Sequence, residues 1–89
     1  MSNQTLTEQD HRDLLAYIYH CQQRDGYSPT IAETAGHFYL SKTAVSYRLN
    51  LLVLYGLLIR ADGKARALKL TDVGMAVIEE TDAEQGRRS

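Results

Sequence analysis

Only one cysteine, one proline and one phenylalanine occur in 89 residues, and tryptophan is missing altogether. A lone thiol, Cys21, excludes an internal disulfide and leaves no Cys-x-x-Cys pair for a metal. No apolar run approaches the roughly 18 residues of a membrane span. The longest, residues 51–59, is interrupted by Tyr55 and Gly56. The opening MSNQTLTEQDHRD lacks the basic and apolar regions of a signal peptide. His11, His20 and His37 show no ligand spacing, and His20 and Cys21 are neighbours that diverge by about 100° on a helix. Also missing are a phosphate-cradling loop, a paired-carboxylate site and any nucleophile–base arrangement. These absences predict a single soluble, cytoplasmic, reduced domain that is not an enzyme and uses no metal or cofactor. Its size is near the lower end of what can bury its own core.

A strong net charge is lacking too, but only in the sum. The formal charge of −1 hides a segregation along the chain. Residues 1–40 carry two arginines against five acids, a net of −3. Residues 41–70 carry six basic side chains (Lys42, Arg48, Arg60, Lys64, Arg66, Lys69) against Asp62 alone, a net of +5. Residues 71–89 return to −3. One basic segment on a weakly acidic chain is a local footprint for a polyanion.

What is present is a sequence of helix caps and apolar stripes. Thr7 and Asp10 have capping-box spacing, followed by Leu14, Ile18 and Cys21 at i, i+4, i+7, with Leu15 and Tyr19 widening the stripe. This predicts a helix over about 8–24, stopped at Gly26. Pro29 keeps Ser28 out of the helical region. Thr30 and Glu33 form a second box, predicting a helix from Ile31 to about Phe38 that buries Ile31, Ala35 and Phe38. Ser41 caps a third helix, with Val45, Leu49 and Leu52 on one face and a stop at Gly56. Two helices joined by a connection as short as Tyr39-Leu40 fit a helix-turn-helix.

Beyond Gly56 the period shortens. Residues 57–60 and 66–70 read as two strands, with Asp62-Gly63 as a hairpin turn. An ideal two-residue turn there sets Arg66 opposite Ile59. The hairpin is expected to pack through Leu57, Ile59, Leu68 and Leu70, since two strands alone are marginal. Thr71 caps a last helix over about 72–80, with Val73, Val77 and Ile78 apolar, and 81–89 form a flexible polar tail. The predicted fold is mainly α with a small β-hairpin: a winged helix-turn-helix domain over residues 1–80.

The third helix has the make-up of a major-groove reader. Small residues at its start permit close approach, and short donors and acceptors can read base edges. Thr43 and Ala44 suit a thymine methyl, Ser41 and Ser46 a phosphate or base, and Lys42 and Arg48 the charged backbone. Tyr47 projects from the same face, whereas Tyr17, Tyr19 and Tyr55 read as half-buried packing residues.

Residues 6–71 resemble the amino-terminal DNA-binding domain of LexA-type repressors. The matching pieces are LTEQ, GYSPT, AETA, SKTAVSYRL, LLVLYGLLIR and DGKARALKL, of which GYSPT and DGKARALKL are the most specific. The resemblance implies that Ser41, Thr43, Ala44, Ser46 and Tyr47 face operator bases. It implies that Lys64 and Arg66 approach the neighbouring backbone or minor groove, and that Thr30 contacts a phosphate with the amides of the second helix behind it. With Lys42, Arg48 and Arg60, these make up the expected DNA-binding set. Two departures stand out within the domain. Tyr39 occupies a turn position where glycine is usual, which predicts a different turn conformation, and the turn is one residue shorter than in several relatives. The family's Ser-Lys peptidase domain has no counterpart in these residues, so no self-cleavage is expected.

The function expected is sequence-specific binding of double-stranded DNA by a transcriptional regulator, a repressor. A weak homodimer is expected to form through the first helix or the apolar side of the last (Val73, Val77, Ile78), with no membrane partner. The alternative is a winged-helix adaptor that binds protein rather than DNA, which the acidic outer helices would suit.

Overall fold

Each of the first three helices starts where a hydroxyl side chain replaces a missing backbone partner. The computed structural model describes residues 7–60 and 68–88, with side chains as far as residue 80. Helix α1 spans Glu8–Asp25, α2 Ile31–Phe38 and α3 Lys42–Leu54. At the head of α1, Thr7 Oγ1 accepts from the Asp10 amide at 3.1 Å and the Thr7 amide donates to Asp10 Oδ2 at 2.9 Å. Thr30 and Glu33 repeat the reciprocal pair at 3.0 and 2.9 Å. Ser41 Oγ caps α3, accepting from the Ala44 amide at 3.0 Å. Each such cap is worth about 1 kcal/mol.

The helices end as decisively. Gly26 and Gly56 take the left-handed conformation at φ 83° and 79°. At the end of α2 the residue in that conformation is Tyr39, at φ 57° and ψ 44°. The expected departure from the usual turn therefore does not occur. The Leu40 amide reaches back to the Ala35 carbonyl at 2.9 Å, closing the same six-residue ring that Leu57 closes on Leu52. The tyrosine carries a left-handed cost of roughly 1–2 kcal/mol that a glycine would not.

Strands β1 (Leu58–Arg60) and β2 (Leu68–Leu70) pair antiparallel, and α4 (Asp72–Arg88) follows. The register is Leu58↔Leu70, Ile59↔Lys69 and Arg60↔Leu68. Lys69, not Arg66, therefore lies opposite Ile59, and the expected two-residue register is not the one adopted. Because the side-chain period of a strand is two, the change of register exchanges the faces of β1. Leu58 enters the core at 1% exposure, and Ile59, expected inside, is 53% exposed. The Asp62-Gly63 turn itself lies outside the described residues.

The core is one cluster: Leu14, Leu15 and Ile18 of α1, Ala35 of α2, Val45, Leu49 and Leu52 of α3, Leu58, Leu68, and Ile78 of α4. Ile31 and Phe38 pack against it only half-buried. Cys21 is buried as well, as its place on the α1 stripe predicts. Thr71 joins wing and last helix, donating to the Gly56 carbonyl at 2.6 Å and accepting from the Gly74 amide at 3.0 Å. Gly74 is required there, because a Cβ on it would run into the Leu57 carbonyl. Helix α4 runs past the expected end near residue 80. Thr81 and Asp82 break its apolar stripe, but the following Ala, Glu and Gln favour helix and no proline intervenes. Its Val77 and Ile78 pack into the core, leaving only Val73 of the expected pairing surface exposed, at 57%. Three helices, a hairpin and a carboxy-terminal helix in this order form a winged helix-turn-helix.

Candidate nucleic-acid interface

Val45, Leu49 and Leu52 hold α3 against the core, which fixes the direction of every other side chain on it. Thr43, Tyr47 and Asn50 recur at i, i+4, i+7 on the opposite, solvent-facing side, and all three are exposed. Tyr47 keeps 60% of its surface in solvent. Asn50 is not among the residues that composition singles out, although its spacing from Thr43 and Tyr47 places it on their face. An asparagine side chain there can pair bidentately with an adenine edge.

One flank of α3 meets the start of α2. Thr30, Ile31 and Ala32 line a cleft of about 480 Å³ together with Lys42, Thr43 and Ser46. Four of the expected contact residues, Thr30 from one helix start and Lys42, Thr43 and Ser46 from the other, thus converge on one concave surface. The amides of Ile31 and Ala32 belong to the first turn of α2 and have no partner within the helix, so they are the backbone donors available to an anion here. The Thr30 amide is not one of them, since Glu33 accepts it. The Thr30 hydroxyl accepts from the Glu33 amide and retains its own hydrogen to donate. Glu33 also places a carboxylate beside the cleft, an electrostatic opponent that the sequence pattern presents only as a cap.

The other expected contacts are more scattered. Ser41 is exposed but commits one lone pair to capping α3. Ala44 and Arg48 lie half-buried on the flank turned toward α1. The Asp10 carboxyl is held below its ordinary range, first by the Thr7 amide and then by the Thr7 hydroxyl and the Arg48 charge. Arg48 therefore has an acidic neighbour in the first turn of α1 and is not a wholly unengaged cation. Arg60 is exposed at the end of β1, opposite Leu68. Lys64 and Arg66 lie outside the described residues.

Tyr17, His37 and His11 serve packing. His37 stacks on Tyr17 at 4.1 Å between ring centroids, and Phe38 meets Tyr17 edge-on at 5.4 Å. Burial, with Cys21 alongside, pushes the Tyr17 hydroxyl above its ordinary range. His11 contacts Tyr55 edge-on at 5.5 Å, although Tyr55 stays more exposed than expected, at 56%. A larger cleft of about 710 Å³ runs between α1, β2 and α4 and contains none of the expected contact residues. No helix among the described residues is long and apolar enough to cross a membrane.

The family model of the LexA DNA-binding domain matches residues 3–67. No curated protein matches the chain significantly in sequence. Among solved structures, a mutant of MepR from S. aureus superposes with a TM-score of 0.71 at 20% identity, covering 93% of this chain and 61% of that one. The S. aureus MepR–DNA complex gives 0.69 at 23% identity, with 93% and 59% covered. A MarR family protein from Bacillus stearothermophilus gives 0.66 at 19% identity, with 93% and 56% covered. At such identities the likeness is one of fold, and this chain spans under two thirds of each of those structures.

Proposed function

The chain belongs to the LexA DNA-binding domain family, and on that premise we propose that it is a sequence-specific, double-stranded-DNA-binding transcriptional regulator acting as a repressor. The observation that carries this reading is the shared cleft at the starts of α2 and α3, lined by Thr30, Lys42, Thr43 and Ser46. In it, backbone amides and a lysine suited to phosphate adjoin a helix face suited to base edges. The outward face of α3 (Thr43, Tyr47 and Asn50) enters the major groove, with Ser46 and Ala44 at its sides. Ser41 and Lys42 then meet the backbone at the groove's edge. The S. aureus MepR structure solved with DNA shares this fold, which supports the DNA-binding reading.

Arg60, Lys64 and Arg66 supply the wing's charge to the adjacent backbone or minor groove. Arg48 contributes through its field, shared with Asp10. No chemistry is required of the protein: its activity is occupancy of a site, exerted in the cytoplasm. One domain of this size covers one half-site, and a single half-site gives too little discrimination for a genome. Two copies therefore bind neighbouring half-sites as a weak homodimer assisted by DNA. Since α4 commits Val77 and Ile78 to its own core, that association is weak in the absence of DNA.

The adaptor alternative draws no support from the family match. Titration of labelled random-sequence duplex at low and moderate salt separates the two. A DNA-binding domain shows affinity that falls steeply with salt, and absence of binding at both salts would leave the adaptor.

A further inference from the structure

We propose that Tyr39 is a DNA-backbone contact built into the turn of the helix-turn-helix, an inference that rests on the DNA-binding reading above. Among the described residues, three have positive φ: Gly26, Gly56 and Tyr39. Two are the residue type that the left-handed region favours. The third carries a Cβ that this conformation crowds. A strained side chain is ordinarily retained where packing offsets the strain, but the Tyr39 side chain is 94% exposed, the most exposed of the large hydrophobic residues described. Its neighbour Leu40 is the turn residue that packs on the core. The fold gains little from the ring, so what offsets the strain must come from outside the fold.

Its position identifies the partner. Tyr39 ends α2 and stands two residues before Ser41, the cap of α3. At most about 10 Å of chain separates it from Lys42, which lines the cleft. When the outward face of α3 occupies the major groove, the turn leading into α3 lies over the edge of that groove, where the phosphates are. A phenol suits this place. Its hydroxyl donates to a phosphate oxygen and its ring covers the apolar face of the sugar. The left-handed turn aims Tyr39 outward while Leu40 turns inward. Because the phenol is neutral, its contact releases no counterion, which separates it from a lysine or arginine contact.

The test uses two variants of the full chain, Tyr39→Gly and Tyr39→Phe, on the protein's selected site and on a random-sequence duplex. Glycine relieves the backbone and removes the contact. The thermal midpoint should equal or exceed that of the wild type, while affinity falls about tenfold on both duplexes, the scale of a hydrogen bond to a charged group. Phenylalanine should lose most of the same affinity without any change in folding. The slope of log affinity against log salt should be unaltered in both. Wild-type affinity in the glycine variant would overturn the proposal while leaving the DNA-binding reading intact. A lowered midpoint, or a slope flattened by a full unit, would also overturn it by showing a structural or ionic role. Failure of the wild type itself to bind either duplex would remove the proposal together with its premise.

Discussion

Ser28 and Leu68, forty positions apart, are joined by a buried hydrogen bond of 3.1 Å from the serine hydroxyl to the leucine carbonyl. Gln22 Nε2 donates to the same carbonyl at 2.8 Å and to Ser28 Oγ at 2.8 Å. The GYSPT segment is thereby tied to the strand that leads out of the wing, so the two most distinctive stretches of the sequence meet in space. Either donor alone still satisfies the carbonyl. Ser28→Ala and Gln22→Ala should each cost about 0.5–1.5 kcal/mol, whereas the double variant should lose more than their sum. Urea unfolding of the four proteins measures this coupling, and strict additivity would show that the two bonds are independent.

The α1 cap gives the fold a pH dependence of known sign. Asp10 titrates below its ordinary value of 3.8, chiefly through the Thr7 amide, with Thr7 Oγ1 and Arg48 adding to it. A depressed carboxyl contributes stability that is fully present above the unfolded value and is lost as pH falls through the folded one. Asp10→Asn should therefore destabilise the protein near neutrality, on the scale of about 0.5–1 kcal/mol typical of caps. The difference from wild type should shrink below pH 3.8. A gap that persisted at acid pH would assign it to something other than the charge.

Much of this architecture is legible in the sequence because it is local. Thr7, Thr30 and Ser41 announce helix starts within four residues, and the stripes of α1 and α3 name their own buried faces. What cannot be read locally is settled by packing at a distance. The Asp62-Gly63 pair suggests a tight turn, but the demand for Leu58 in the core sets the register and turns Ile59 outward. Likewise the apolar residues of α4 predict a buried face without saying what covers it, and the cover is the domain's own α1. For the candidate site, small and polar residues at the start of α3 nominate Thr43, Ser46 and Tyr47, and helical spacing from Thr43 and Tyr47 adds Asn50. Nothing in the local pattern shows that the Arg48 charge helps to lower the Asp10 carboxyl, since that depends on how α1 crosses α3.

Glu33 should set stability against binding. Its carboxylate completes the α2 cap while standing beside the cleft where a phosphate is expected. Glu33→Gln keeps a side chain able to serve the capping box and removes the charge. Affinity for specific and random duplex should rise together, by about threefold to tenfold, since a unit charge near 4 Å is worth on the order of 1 kcal/mol in water. Unchanged affinity in fluorescence anisotropy would place the DNA backbone away from the start of α2.

The wing's charges should act on all sequences alike. Replacing Lys64 and Arg66 with Ala should weaken binding to any duplex and flatten the log–log salt plot by about one to two units, one for each phosphate no longer neutralised. Folding should hardly change, because single charged side chains on a hairpin ordinarily contribute little stability. An unaltered slope in the folded variant would take these two residues off the DNA.

Base reading by α3 is the central claim, and the ratio of specific to random affinity tests it most directly. A preferred site is first selected from a random duplex library. Dissociation constants on that site and on random duplex are then compared for the wild type, Ser46→Ala and Tyr47→Ala. Each substitution should cost on the order of 1–3 kcal/mol on the selected site and far less on random DNA, so that the ratio collapses. Equal losses on both duplexes, with the ratio preserved, would contradict the placement of α3 in the major groove.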